Sequence, residues 1–199
     1  MCSKGAFIVV EGLDGSGKTT QAKLLVRQLR KTCSARYTAE PSNGKIGQFI
    51  RNRILYEKTR PPTTVEALLF AADRIEHIQN EVVPALAMGQ TVVSDRYVYS
   101  SLAYQGSAGL GSEWIQTINQ YAPKPDLALF IDVNPETVLK RLTRRKSVME
   151  NFETQCKVRD VYLNFVQKGE LFRIDGDKPK ALVAQELFSM VEALLRSRR

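Results

Sequence analysis

Cysteine and histidine are scarce in this chain. Its 199 residues hold three cysteines, Cys2, Cys33 and Cys156, and a single histidine, His77. The cysteines lie far apart and form no CxxC pair, so neither a zinc site nor a disulfide framework is expected. A lone histidine has no companions for metal binding and reads as structural or solvated. No apolar run approaches the roughly 20 residues that a membrane span requires, and Met1–Gly5 offers no signal segment. The expectation is a soluble, cytoplasmic protein with no membrane partner. Glycine (12) and proline (8) are ordinary in number, 43% of residues are apolar and 25% charged, which disfavours disorder and low-complexity scaffolding. The formal net charge is +8, with three of the positive charges at Arg196, Arg198 and Arg199. Such an excess raises the question of an anionic partner and cannot by itself choose between nucleic acid, nucleotide and membrane surface.

Periodicity alternates along the chain. Ala6–Glu11 is a short β-branched run expected to form a strand buried on both faces. From Lys18 to about Lys31, Leu24, Leu25, Val26 and Leu29 fall near helical spacing, with Lys23, Arg27 and Arg30 for the wet side. Arg36–Ala39 is a weak strand and 46–55 a helix. Pro61-Pro62-Thr63-Thr64 leads into a long helix from Val65 towards Met88, which Pro84 should kink or break. Strands follow at Thr91–Ser94, Leu127–Asp132 and Leu171–Ile174, with proline-marked helix starts at Pro135 and Pro179. Without internal repeats or linkers, residues 1–199 read as one domain. The alternation predicts an α/β, three-layer fold with a mostly parallel five-stranded sheet, whose ligands gather beyond the carboxyl ends of the strands.

Gly12-Leu13-Asp14-Gly15-Ser16-Gly17-Lys18-Thr19 fits GxxxxGK[ST] between a predicted strand and a predicted helix. A tight glycine loop points backbone N–H groups at phosphate oxygens, and the helix behind it adds its positive end. Lys18 would bridge the outer phosphates and the Thr19 hydroxyl would ligate Mg²⁺. The pattern predicts a P-loop NTPase fold that binds a nucleoside triphosphate. No guanine-reading NKxD is present, and the chain leaves no room for a motor's partner domain.

Ala39-Glu40-Pro41, Leu69–Arg74 and Asp95-Arg96-Tyr97 face the same predicted crevice. Phe70 and Arg74, four apart on one helix, could offer a stacking plane beside a forked donor. Spacing alone equally allows a core aromatic and a surface ion pair. EGLDGSGKTTQ, EPSNGKIG, LLFAADR, SDRYVYSSLAYQG and KPDLALFIDV follow one another in an order and spacing by which the chain resembles the thymidylate kinase family. That resemblance implies phosphorylation of dTMP by ATP, with Phe70 stacked on thymine, Arg74 bonded to the base and Arg96 on the dTMP phosphate. It further implies Asp95 on the magnesium side, Asp14 near the acceptor sugar, Tyr104 beside the deoxyribose, Ser101 near the base edge, and a homodimer formed through the helices around residues 65–88.

Some members place an arginine directly after the loop aspartate, where this chain has Gly15. The resemblance then implies a cation from a lid at about residues 141–153. Arg141, Arg144 and Arg145 fall at i, i+3 and i+4, a spacing that would give one basic face. Arg144 and Arg145 are expected at the transferred phosphoryl and Arg141 near ATP. Two departures stand out: 147–153 lacks an arginine that lids often carry, and Ala39 replaces an arginine common before Glu-Pro. Trp114 and Tyr121 are expected to pack. The alternatives are a kinase for another nucleoside monophosphate, or a nucleic-acid-responsive P-loop ATPase. The acceptor-side residues argue against a nucleic-acid partner.

Overall fold

The computed structural model describes residues 5–55, 60–142 and 151–198. Five strands, β1 (Phe7–Gly12), β2 (Ala35–Ala39), β3 (Thr91–Asp95), β4 (Leu127–Asp132) and β5 (Phe172–Asp175), form one sheet in the order β2-β3-β1-β4-β5, every pair parallel. β1, β3 and β4 are buried at every position, as β-branched runs covered on both faces must be, whereas the edge strands β2 and β5 alternate or stay exposed. Around the sheet lie α1 (Lys18–Leu29), α2 (Lys45–Arg53), α3 (Thr63–His77), α4 (Val83–Ala87), α5 (Val98–Ser107), α6 (Ser112–Ile118), α7 (Pro135–Arg141), α8 (Phe152–Gln167) and α9 (Lys180–Ser197). This is the P-loop NTPase fold.

The apolar periodicity of α1 is realised as expected: Leu25, Val26 and Leu29 are buried, while Lys23, Arg27 and Arg30 are exposed. α1 packs against α9, and α5 against α8, where Phe130 of β4 stacks on Tyr162 with ring centroids 4.7 Å apart. The register matters most at one edge. Val10 of β1 and Ala39 of β2 both pair with Asp95 of β3, so three strands end together. The chain leaves β1 for β2 and leaves β3 for β4 on the opposite side. Adjacent carboxyl ends with departures in opposite senses open the crevice where doubly wound sheets bind ligands.

Pro84 does not break its helix. Residues Ile78–Val82 instead form a π turn, in which the Val83 N–H reaches back to the Ile78 carbonyl, and Pro84 falls in the first turn of α4. A proline lacks a donor and crowds the preceding turn; one widened turn gives it room while the helix continues. A second correction concerns Tyr121, which is 79% exposed, although Trp114 packs against the core. A tyrosine in the segment after α6 meets no helix face there, and its hydroxyl favours water. Among the described residues, no helix is long and apolar enough to cross a membrane.

Candidate active site

The glycine loop bridges β1 and α1. Gly17 immediately precedes α1 with φ 88°, a left-handed conformation in which a side chain would be strained, and a Cβ there would meet nothing within 4 Å. It is glycine for conformation, and the space above it is open. Gly15 shares that conformation at φ 89°, and a Cβ there would in addition press on the Leu142 side chain at 3.1 Å, so an arginine at this position would be strained and would push that side chain aside. Asp14, Gly15, Gly17, Lys18, Thr19, Arg141 and Leu142 line a cleft of about 300 Å³.

Lys18 is buried, with Nζ 3.1 Å from the Leu13 carbonyl and 3.5 Å from Asp14 Oδ1. Burial lowers its pKa and Arg96 adds to this, against Asp14, Asp95 and Glu11, which favour the cation. The Thr19 hydroxyl donates to Asp95 Oδ2, to which Tyr37 also donates at 3.3 Å. Asp95 Oδ1 is buried and has no hydrogen-bond partner among the described residues. A buried carboxylate oxygen without a donor, next to a hydroxyl at the mouth of the loop, suits a hard divalent cation that completes its shell with water and phosphate oxygens. The residues therefore fit Mg²⁺.

Across the cleft, Arg96 follows β3 with φ 78°, the only non-glycine residue at positive φ among those described. Such a conformation costs on the order of 1 kcal/mol and persists only where surroundings over-determine it. Arg96 Nη1 donates to Ser100 Oγ at 2.9 Å, Nη2 lies 2.5 Å from Asp14 Oδ1, and the guanidinium sits 4.9 Å from the Tyr104 ring centroid. The Tyr104 hydroxyl accepts the Asp14 backbone N–H at 3.1 Å. Burial works against the charged guanidinium, but Asp14 and Tyr104 outweigh it and raise the pKa of Arg96 further. Asp14 and Lys18 from the glycine loop and Arg96 and Tyr104 from the segment after β3 thus form one charged cluster.

Arg74 is only 1% exposed and is no surface pair. Its Nε donates to Glu40 at 2.8 Å, Nη1 to Asn119 at 2.5 Å, and Nη2 to the Tyr97 carbonyl at 3.1 Å and Ser101 Oγ at 3.2 Å. These bonds fix the guanidinium plane and leave little of its donor capacity unused. Phe70, one turn earlier on α3, is half-buried and lies outside the main apolar core. His77 is buried, 3.2 Å from Glu40 and 2.5 Å from Thr38 Oγ1, which supports Glu40 from behind. Tyr97 joins the two halves of the site, its carbonyl serving Arg74 and its N–H donating to Glu11 at 2.8 Å.

The sequence placed Glu40 at the crevice without a role, and missed Glu11, Asn119 and Tyr162 as members of this network. Glu11 carried a signal, being the one ionisable residue in a strand otherwise buried and apolar. Its carboxylate is fully buried, and burial raises its pKa, opposed by bonds from Ser100, Tyr162 and Tyr97 and by the charge of Arg96. Arg141 lines the cleft beside the glycine loop. α7 ends at Arg141, and Leu142 is extended at φ −79°, ψ 90°. Arg144 and Arg145 lie outside the described residues.

A glycine cradle, a buried lysine and a threonine–aspartate pair at the switch point of a parallel sheet place the protein in the P-loop NTPase class. The thymidylate kinase family model matches residues 10–187, and the chain belongs to that family. It is 42% identical over 176 residues to a probable thymidylate kinase of Pyrococcus abyssi, covering 85% of each chain. A probable thymidylate kinase of Pyrobaculum calidifontis is 40% identical over 196 residues, 97% of this chain and 99% of that one. One from Methanocaldococcus jannaschii is 45% identical over 172 residues, covering 86% and 87%.

Proposed function

We propose that this enzyme transfers the γ-phosphoryl group of ATP to dTMP, giving dTDP and ADP by in-line displacement. A phosphate oxygen of dTMP attacks the γ-phosphorus, and the bond to the β–γ bridging oxygen breaks towards ADP. The observation that carries the reading is the convergence of Asp14 and Lys18 of the phosphate cradle with Arg96 and Tyr104, to which the braced Arg74 is joined through Tyr97.

Phosphoryl transfer demands positioning and positive charge more than covalent chemistry. The loop N–H groups and the amino end of α1 hold the ATP phosphates, and Lys18 follows the charge as it moves to the leaving oxygen. Thr19 and Asp95 would hold Mg²⁺, which neutralises phosphate charge when bound. Arg96 leaves Asp14 to take the dTMP phosphate, freeing Asp14 for the acceptor sugar. Tyr104 crowds the place of a ribose 2′-hydroxyl, Phe70 stacks on thymine, and Arg74, held by Glu40, Asn119, Tyr97 and Ser101, has one remaining Nη1 N–H for the base edge. Arg144 and Arg145, from a lid at about 141–153, would supply the last cations.

A coupled ADP-release assay across dTMP, dUMP, dCMP, AMP and GMP tests the reading; a marked preference for dTMP is expected, and flat activity would sink it. The basic excess also prompts the nucleic-acid-responsive ATPase. ATP hydrolysis that rises with added DNA or RNA, and falls with salt, would favour that reading instead.

A further inference from the structure

We propose that Glu11 is a positioning residue for the acceptor phosphate: it holds Arg96 in the backbone and side-chain geometry that presents the guanidinium to a nucleoside monophosphate. The inference rests on the acceptor-site reading above and adds a residue to it that does not touch the substrate.

Glu11 sits on β1, one residue before the glycine loop, and is completely buried. Four donors converge on its carboxylate. Oε1 accepts the Tyr97 N–H at 2.8 Å and the Ser100 N–H at 3.2 Å, while Oε2 accepts from Ser100 Oγ at 2.6 Å and the Tyr162 hydroxyl at 2.9 Å. An ionised carboxylate is acceptor-only and satisfies all four; an amide would set an N–H of its own against two of them.

Two of these bonds act on Arg96 from opposite ends. The Tyr97 N–H belongs to the peptide that leaves Arg96, and its direction is set by the φ 78° conformation of that residue. Glu11 therefore fixes the unusual backbone. The Ser100 hydroxyl donates to Glu11 and accepts from Arg96 Nη1 at 2.9 Å, so the same carboxylate also orients the guanidinium. A planar fork meets phosphate well only within a narrow range of angles, which makes such bracing consequential. Glu11 also reaches Arg74 through Tyr97, whose carbonyl accepts from that guanidinium at 3.1 Å, but only Arg96 is held by it at both backbone and side chain.

The experiment is calorimetric titration of dTMP, thymidine and ATP into the wild type, Glu11→Gln and Arg96→Ala. Thymidine reports the base and sugar contacts without the phosphate. Glu11→Gln is expected to weaken dTMP binding about 10-fold while changing thymidine and ATP binding less than about 2-fold. Wild-type dTMP affinity, or equal losses for all three ligands, would overturn the proposal, the latter meaning a purely structural role. If Glu11→Gln does not fold, Ser100→Ala removes one arm of the brace; a loss of about 3-fold for dTMP alone supports the proposal and none refutes it. Arg96→Ala separates the two levels. If it leaves dTMP affinity intact, the acceptor-site reading itself is wrong; if it weakens dTMP and Glu11→Gln does not, only the brace is wrong.

Discussion

At the scale of single residues, Lys18 and Phe70 separate the two jobs of the site. Lys18 is buried against the loop carbonyl of Leu13, and the proposed mechanism has it serve the charge that moves during transfer. Replacing it with alanine should cut kcat by about 100-fold or more and leave dTMP affinity within a few-fold, as steady-state kinetics and titration would measure. Phe70 is half-buried outside the core, so Phe70→Ala has little core to disturb. It should raise the KM for dTMP about 10-fold through lost stacking while the KM for ATP holds. The reverse pattern in the pair would mean that donor and acceptor pockets have been exchanged. Lys18 was legible in the sequence because its spacing to the loop glycines is fixed by the loop. The partners of Arg74 were not: Glu40, Asn119 and the Tyr97 carbonyl lie 34, 45 and 23 positions away, and only folding brings them to one guanidinium.

At the scale of elements, Asp132 ties three together. It ends β4 and receives Arg159 of α8 at 2.6 Å and Arg173 of β5 at 2.7 Å. Burial acts to raise its pKa, but the two guanidinium groups prevail and hold the carboxyl below its ordinary value. A depressed folded pKa contributes stability that is present above the unfolded value near 3.9 and lost as pH falls through the folded one. Asp132→Asn should therefore cost about 1–2 kcal/mol at pH 7, less than for a fully buried pair because Arg173 is half-exposed, and the difference should shrink in urea melts as pH falls below about 4. An undiminished gap at low pH would exclude the ion pairs as its origin. Elements were read well where periodicity was long, as in α1, and where strands were short and β-branched. The π turn before Pro84 was not readable, because the sequence shows where a donor is missing but not which turn widens to accommodate it. The end of α7 at Arg141 was hidden for a similar reason: Leu142 beyond it lies beside Gly15 of the loop, a neighbour that only folding supplies.

For the whole molecule, α3 and α4 leave Val65, Leu68 and Val83 each 44–50% exposed on the stretch expected to join two copies. Sedimentation should report a dimer, and Leu68→Glu should shift it towards monomer by placing charge in that contact. A wild-type monomer would remove the dimer from the reading. The lid tests belong here too. Arg144→Ala and Arg145→Ala, made separately, should show at least one loss of about 10-fold or more in kcat, and normal turnover in both would discard a lid cation.

The sequence by itself determined the strand–loop–helix cradle and the alternation of strands and helices, because each depends on near neighbours or on fixed spacing. Tertiary structure decided which residues act on one another. Parallel register brings the ends of β1, β2 and β3 to one edge. Only there does a buried glutamate from β1 meet the backbone beyond β3, and a carboxylate before Pro41 meet an arginine on α3. Such contacts between distant segments have no local signature, since burial and partner choice arise only when the layers close.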